Sequence, residues 1–140
     1  MRDNINILCD RGLEMTRDKK YLDMMNQWII LKQEGKSVEK YFQKNGYHSI
    51  AVYGMSIYGR HLVRELQGTE INIVCGIDRK KMNSYKDIKV LQPIDKLPEI
   101  DAIVNTVIWE HINIKASLSQ ITDRPVICLE DIIFDCYDLE

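Results

Sequence analysis

The sequence predicts an α/β fold: a doubly wound parallel sheet of about five strands, preceded by an N-terminal helical arm. Three observations carry this expectation. Short apolar, β-branched runs recur at 49–53, 71–77, 88–91, 101–107 and 125–129. Segments with apolar residues at three- and four-residue spacing lie between several of them. The first run ends in a glycine turn that opens a helix. Strands alternating with helices pair in parallel through right-handed crossovers. The doubly wound rule orders the five strands 3-2-1-4-5. The chain divides into an arm over residues 1–46 and a sheet domain over residues 47–140.

Residues 1 to about 16 show no clear period. Residues 14–34 read as a helix, because Met15, Tyr21, Leu22, Met25, Trp28, Ile29 and Leu31 fall on one broad face. That face, with Trp28 and Ile29, is expected to be buried on the domain or on a second copy of the chain. Amphipathic helices owe most of their stability to such packing. Gly35 suits the C′ position. Ser37 is expected to cap a short second helix containing Tyr41 and Phe42, which Asn45-Gly46 ends. The arm reads as a packing or dimerisation element rather than a catalytic one. In the sheet domain, Ile57, Leu62, Val63 and Leu66 give the first crossover helix an apolar face. Asp78 closes the second strand, and the charged loop Arg79-Lys80-Lys81 follows. One helical turn over 93–97, a helix over 110–121 and a closing helix from Glu130 complete the expected order.

The turn Gly54-Met55-Ser56-Ile57-Tyr58-Gly59 carries the chemistry. It is one substitution from G-x-G-x-x-G, and it follows a strand, opens a helix and precedes a second strand, the context that fingerprint needs. Gly54 permits the tight turn, and Gly59 lets the helix pack closely on the strand. The free N–H groups at the helix start, with the positive end of the dipole, suit a phosphate. Asp78 stands 24 positions after Gly54, near the roughly 20 that the fingerprint expects for a ribose-binding carboxylate. Ser56 replaces the middle glycine; it narrows the approach of a pyrophosphate but adds a hydroxyl donor. The expected site comprises Gly54, Met55, Ser56, Ile57, Tyr58, Gly59, Arg60, Asp78, Arg79 and Thr106. Asn105, Thr106 and His111 follow the fourth strand and are expected to line the same crevice as Gly54. The cofactor expected there is NAD(P) or a nucleotide sugar.

The stretch from Ser37 through Ile133 resembles a Rossmann-like, nucleotide-binding domain of bacterial surface-polysaccharide biosynthesis. The matching segments are Ser37-Val38-Glu39-Lys40-Tyr41-Phe42, Ala51 to Gly59, Gly76-Ile77-Asp78, Asp101 to Thr106 and Leu129-Glu130-Asp131-Ile132-Ile133. It is similar to the domain found before the catalytic part of membrane-bound nucleotide-sugar dehydratases, and to the N-terminal domain of bacterial sugar O-acyltransferases. The resemblance implies that NAD(P) or a sugar nucleotide binds at Gly54, Ser56, Gly59 and Asp78. The catalytic parts of those families have no counterpart here.

Composition narrows the alternatives. The formal net charge of −2 gives no electrostatic case for nucleic acid. Charges interrupt every apolar segment before the roughly 20 residues that a membrane span needs, so neither a signal peptide nor a span is expected. Cys9, Cys75, Cys128 and Cys136 form no C-x-x-C pair; they read as reduced, structural thiols of a cytoplasmic protein, and no metal site is expected. Tyr85-Lys86-Asp87-Ile88-Lys89 matches Y-x-x-x-K, but that acid–base pair needs a helix, and here a loop runs into a strand. Arg79-Lys80-Lys81 either clamps a 2′-phosphate or forms a solvated turn, and charge runs are usually the latter. His111 is either a general base or a surface helix residue. His61 is expected on the surface of the first crossover helix, and His48 suggests nothing. No G-x-S-x-G elbow and no P-loop is present. Three functions follow: a nucleotide-binding module, without catalysis of its own, accessory to polysaccharide or sugar-nucleotide metabolism; a small oxidoreductase or sugar-modifying subunit completed by a partner chain; or a ligand-free interaction module that dimerises. The partners expected are a small-molecule nucleotide and a second copy or a larger biosynthetic protein.

Overall fold

The computed structural model describes residues 16–137. Helix α1, Arg17–Gln33, starts at Thr16, whose hydroxyl accepts the Lys19 N–H at 3.1 Å. It ends in a Schellman turn: Gly35 takes φ +75°, and the N–H groups of Gly35 and Lys36 donate to the carbonyls of Lys32 and Leu31. Glu14 and Met15, part of the expected helix, lie outside the described residues. Helix α2, Glu39–Asn45, starts one residue later than a Ser37 cap implies. Val38 holds the N-cap position, yet the Ser37 hydroxyl still accepts the Glu39 N–H at 3.1 Å. Gly46 ends the helix at φ +72°.

Then follow β1 (Ser49–Tyr53), α3 (Ile57–Leu66), β2 (Asn72–Ile77), β3 (Ser84–Tyr85), β4 (Ile88–Leu91) and β5 (Ala102–Asn105). A 3-10 turn over Ile108–Glu110 leads into α4 (His111–Leu118), β6 (Val126–Cys128) and α5 (Leu129–Tyr137). The sheet has six strands in the order β3-β4-β2-β1-β5-β6, all pairs parallel except β3 with β4. Without β3 this is the expected order. The elements differ from the expectation in several places. The two-residue β3 forms a hairpin with β4 through Lys86 and Asp87, both at positive φ. Residues 93–97 hold no helix: the Asp95 carboxylate accepts the Gln92 N–H at 2.8 Å and closes a turn instead. The strand expected over 101–107 stops at Asn105. The helix expected over 110–121 stops at Leu118.

Alternation along β1 sends Ile50 and Val52 to one face and Ala51 and Tyr53 to the other. The first face is covered by α1, α2, α3 and α5, with Met24, Leu31, Phe42, Leu62, Ile132 and Ile133 in its core. The second is covered by α4, through Ile114 and Leu118. The Glu65 carboxylate, almost enclosed, binds the arm to the sheet: it accepts Trp28 Nε1–H at 2.6 Å and Val38 N–H at 2.7 Å. Lys20 meets Glu130 at 2.7 Å and joins α1 to α5. Trp28 is buried as expected, but Leu22 and Ile29 are not, because the helix turns Met24 and Leu31 inward instead.

Cys75, Cys128 and Cys136 are free and buried, and burial pushes each thiol up to about 11. Cys9 lies outside the described residues. Among the described residues, no helix is long and apolar enough to cross a membrane, and no cluster of His, Cys, Asp and Glu side chains is arranged to hold a metal.

Candidate functional site

The direction of winding reverses between β1 and β5. From β1 the chain moves outward through β2 and β4, then returns to the other side for β5 and β6. In open α/β sheets, ligands bind outside the carboxyl ends of the strands at such a point. Here that place is formed by the Gly54–Gly59 turn after β1 and by Thr106 and Val107 after β5.

The turn is locked by its neighbours. Gly54 adopts φ +89°, and a Cβ there would meet Thr106 Oγ1 at 2.5 Å and Val107 Cγ2 at 2.7 Å. A Cβ on Gly59 would run into the Gly54 carbonyl oxygen. Thr106 is buried, and its hydroxyl lies 2.8 Å from both the Tyr53 and the Gly54 carbonyl oxygens. The Met55 side chain is fully buried against Gly76. The Met55 N–H donates to Asp78 Oδ2 at 2.9 Å, while Asp78 Oδ1 accepts the Lys80 N–H at 2.8 Å. Asp78 therefore clamps the turn to the end of β2 and stays half-buried.

Beside this locked turn is a cavity of about 520 Å³, lined by Ser56, Tyr58, Thr106 and Val107 and roofed by α1 through Arg17, Asp18, Tyr21, Leu22 and Met25. Ser56 is the N-cap residue of α3; it is exposed, and its hydroxyl makes no capping bond. The first intrahelical bond is Arg60 N–H to Ser56 O. The amides of the first turn thus point out of the helix start, as helix geometry requires. Tyr21 stacks on Tyr58 with ring centroids 4.6 Å apart. Burial raises the Tyr21 phenol above its ordinary range.

The expected residues divide. Ser56, Tyr58 and Thr106 face the cavity; Gly54, Gly59, Met55 and Asp78 do not line it and instead hold the turn beside it. Ile57 faces outward. Arg60 turns back: its Nε–H donates to the Met55 carbonyl at 3.1 Å, and its guanidinium lies 4.8 Å from the Tyr85 ring centre. Arg79 donates to the Tyr53 hydroxyl at 3.2 Å and lines a separate cavity of about 380 Å³ with Gln92, Ile94 and Ile114. Tyr85 and Lys89 sit on the two strands of the hairpin, not on a helix.

His111 does not join the Gly54 crevice. It borders a third cavity, about 680 Å³, with Lys20, Trp109, Glu130 and Asp131. Asn105, fully buried, sets its state. The Val107 N–H donates to Asn105 Oδ1 at 2.9 Å, so the amide nitrogen faces His111 Nδ1 at 3.0 Å. An amide nitrogen only donates, so Nδ1 accepts and the proton sits on Nε2. Burial holds the imidazole below its usual range, helped by Lys115 and opposed by Asp131. A neutral imidazole with Nε2–H can donate to a ligand oxygen. His61 is half-buried rather than exposed, edge-on to Trp28. Arg17 and Tyr21 also line the cavity, and no local pattern marks them, because the spacing of their helix points only to packing. No protein-family model matches the chain, and no curated protein matches it significantly.

Proposed function

We propose that this chain is a nucleotide-binding module that takes a phosphate on the first turn of α3. The observation that carries the reading is the cavity beside Ser56 and Tyr58 at the β1/β5 reversal, with Arg17 on its rim. Its volume, about 520 Å³, falls in the range of small-molecule sites. The amides of Ile57, Tyr58 and Gly59, the helix dipole and the Ser56 hydroxyl, which makes no capping bond, would meet the phosphate. Tyr21 and Tyr58 supply aromatic walls. Asp78 has lone pairs beyond the two bonds it makes, and would accept a ribose hydroxyl; Arg79 and the apolar cavity beside Tyr53 would receive the remainder of the molecule.

NAD(P) and nucleotide sugars carry the required groups. Together with the resemblance to domains of surface-polysaccharide biosynthesis and the compatibility of this sheet with a Rossmann-like fold, they make an accessory, cytoplasmic role in sugar-nucleotide metabolism the favoured setting. Catalysis would come from a partner chain.

Thermal-shift and calorimetric titration with NAD, NADP, UDP-sugars and CoA tests the reading, since a ligand that binds only the folded state raises its stability. Asp78→Ala is a poor probe, because it also releases the Met55 N–H. Ser56→Asp is better. Asp is a strong N-cap and complements the helix dipole, so the fold keeps or gains stability. Its carboxylate stands where the phosphate would bind and should weaken binding at least about tenfold, or about 1.4 kcal/mol. Unchanged affinity in Ser56→Asp removes the phosphate from this turn; no binding by any of the four ligand classes removes the nucleotide reading.

A further inference from the structure

Helices α1 and α3 run side by side on one face of the sheet. Tyr21 meets Tyr58 near their starts, and Trp28 meets His61 and Glu65 further along. The α1 side of the groove between them is formed by Leu22, Met25 and Ile29. Leu22 is 68% exposed, Ile29 51%, and Ile57 at the start of α3 63%. This is a second apolar stripe on α1, because Met24, Trp28 and Leu31 already face the core. Asp18 lies four residues before Leu22 and Lys32 three residues after Ile29, so the stripe begins with an anion and ends with a cation.

We propose that a second copy of this chain covers the stripe, its α1 lying antiparallel to the first across a two-fold axis near Met25. Charge complementarity favours this occupant. In a contact of this symmetry, residue i meets j while j meets i. Leu22 and Ile29 are placed almost symmetrically about Met25, and so are Asp18 and Lys32. An antiparallel copy therefore lays each Leu22 on the other chain's Ile29 and each Asp18 beside the other chain's Lys32. A parallel copy would oppose Asp18 to Asp18 and Lys32 to Lys32. The pattern on α1 completes itself, whereas a foreign partner would need its own matching stripe. The inference stands apart from the nucleotide reading, although Asp18, Leu22 and Met25 also border the cavity beside Ser56, so a docked copy would narrow its mouth.

Sedimentation analysis of the full chain over a concentration series tests it. A monomer–dimer equilibrium is expected. Leu22→Glu and Ile29→Glu should each raise the dimer dissociation constant at least about tenfold, because each lesion occurs twice per interface. Asp18→Lys should weaken association several-fold, and adding Lys32→Asp in the same chain should restore it, since the swapped pattern is again self-complementary. Lys32 lies 3.7 Å from Glu65 and Asp18 is the exposed acid of the first turn of α1, so melting curves check that both variants are folded. A chain that stays monomeric throughout overturns the proposal, whether residues of the same chain or another protein cover the groove. So does a dimer indifferent to Leu22→Glu, or one that the double charge swap fails to restore.

Discussion

Two turns meet at the reversal point of the sheet, and they are built on opposite principles. The turn after β1 is made of backbone. Gly54 and Gly59 are there because side chains cannot be: one would meet Thr106 and Val107, the other the Gly54 carbonyl. The turn after β5 is made of a side chain. The Asn105 amide substitutes for backbone, taking the Val107 N–H on its oxygen and offering its nitrogen to the Val107 carbonyl at 3.3 Å and to His111 Nδ1. The first turn leaves a cavity lined by Ser56 and Tyr58. The second leaves one edged by a histidine with a fixed proton. A phosphate suits the former and a hydroxyl or carbonyl oxygen the latter.

The backbone-built turn is most vulnerable at Gly59. Gly59→Ala adds one methyl group where the neighbour is a carbonyl oxygen of a locked turn, not a flexible side chain. The turn and α3 must separate, at a cost of about 3 kcal/mol or more. Urea unfolding measures it. A loss below about 1 kcal/mol would show that the turn yields easily and that its glycine does not hold strand and helix together.

Asn105→Leu attacks the other turn. It keeps the branched shape but strands the Val107 N–H and leaves both the Val107 carbonyl and His111 Nδ1 without the amide nitrogen. Buried polar groups left unpaired cost about 1–3 kcal/mol each, so a loss of about 2 kcal/mol in unfolding free energy is expected. It should be smaller than that of Gly59→Ala, because the exposed rim of α4 can relax toward water. Equal losses would mean that both turns are equally rigid.

These turns were not equally legible in the sequence. A strand ending in Gly54, with Gly59 five residues on and Asp78 beyond, advertises a backbone arrangement through residue types that do little else. Asn105 sits at the end of an apolar run, and no local signal says that its amide will replace a turn. The hairpin of β3 and β4 was hidden for a related reason. Two-residue turns at positive φ usually call for Asn or Asp followed by Gly; Lys86 is none of these, and Asp87 stands where the glycine would. Leu22 and Ile29 defeated the periodicity argument differently. Both fall within a broad apolar sector, but α1 carries two apolar stripes, and spacing alone does not say which one meets the sheet. The place of Asp78 after β2 points to a ribose ligand; that it holds the Met55 N–H is a contact between distant segments, outside the reach of local pattern.

The smallest expected effect separates the two turns by pH. His111 is kept neutral chiefly by burial, with Lys115 adding to the effect. Its Nδ1 also accepts a bond that a protonated ring would turn into a clash of two donors. The folded-state value therefore lies below the ordinary one near 6.5. Above that ordinary value both folded and unfolded chains carry neutral imidazole, and the full stability is present. Below it the unfolded chain binds the proton first, so stability falls as the solution is acidified. Unfolding curves at about pH 7.5 and about pH 5.5 bracket the window. The native chain should lose more stability between them than His111→Gln, whose side-chain oxygen can still accept from Asn105. His48 and His61 are present in both proteins, so the difference between the two slopes isolates His111. An identical slope would mean that the ring opens to solvent and that Asn105 does not govern its proton. A steeper slope in the variant would mean that a carboxylate controls the ring, with Asp131 the candidate because its charge already opposes the effect of burial.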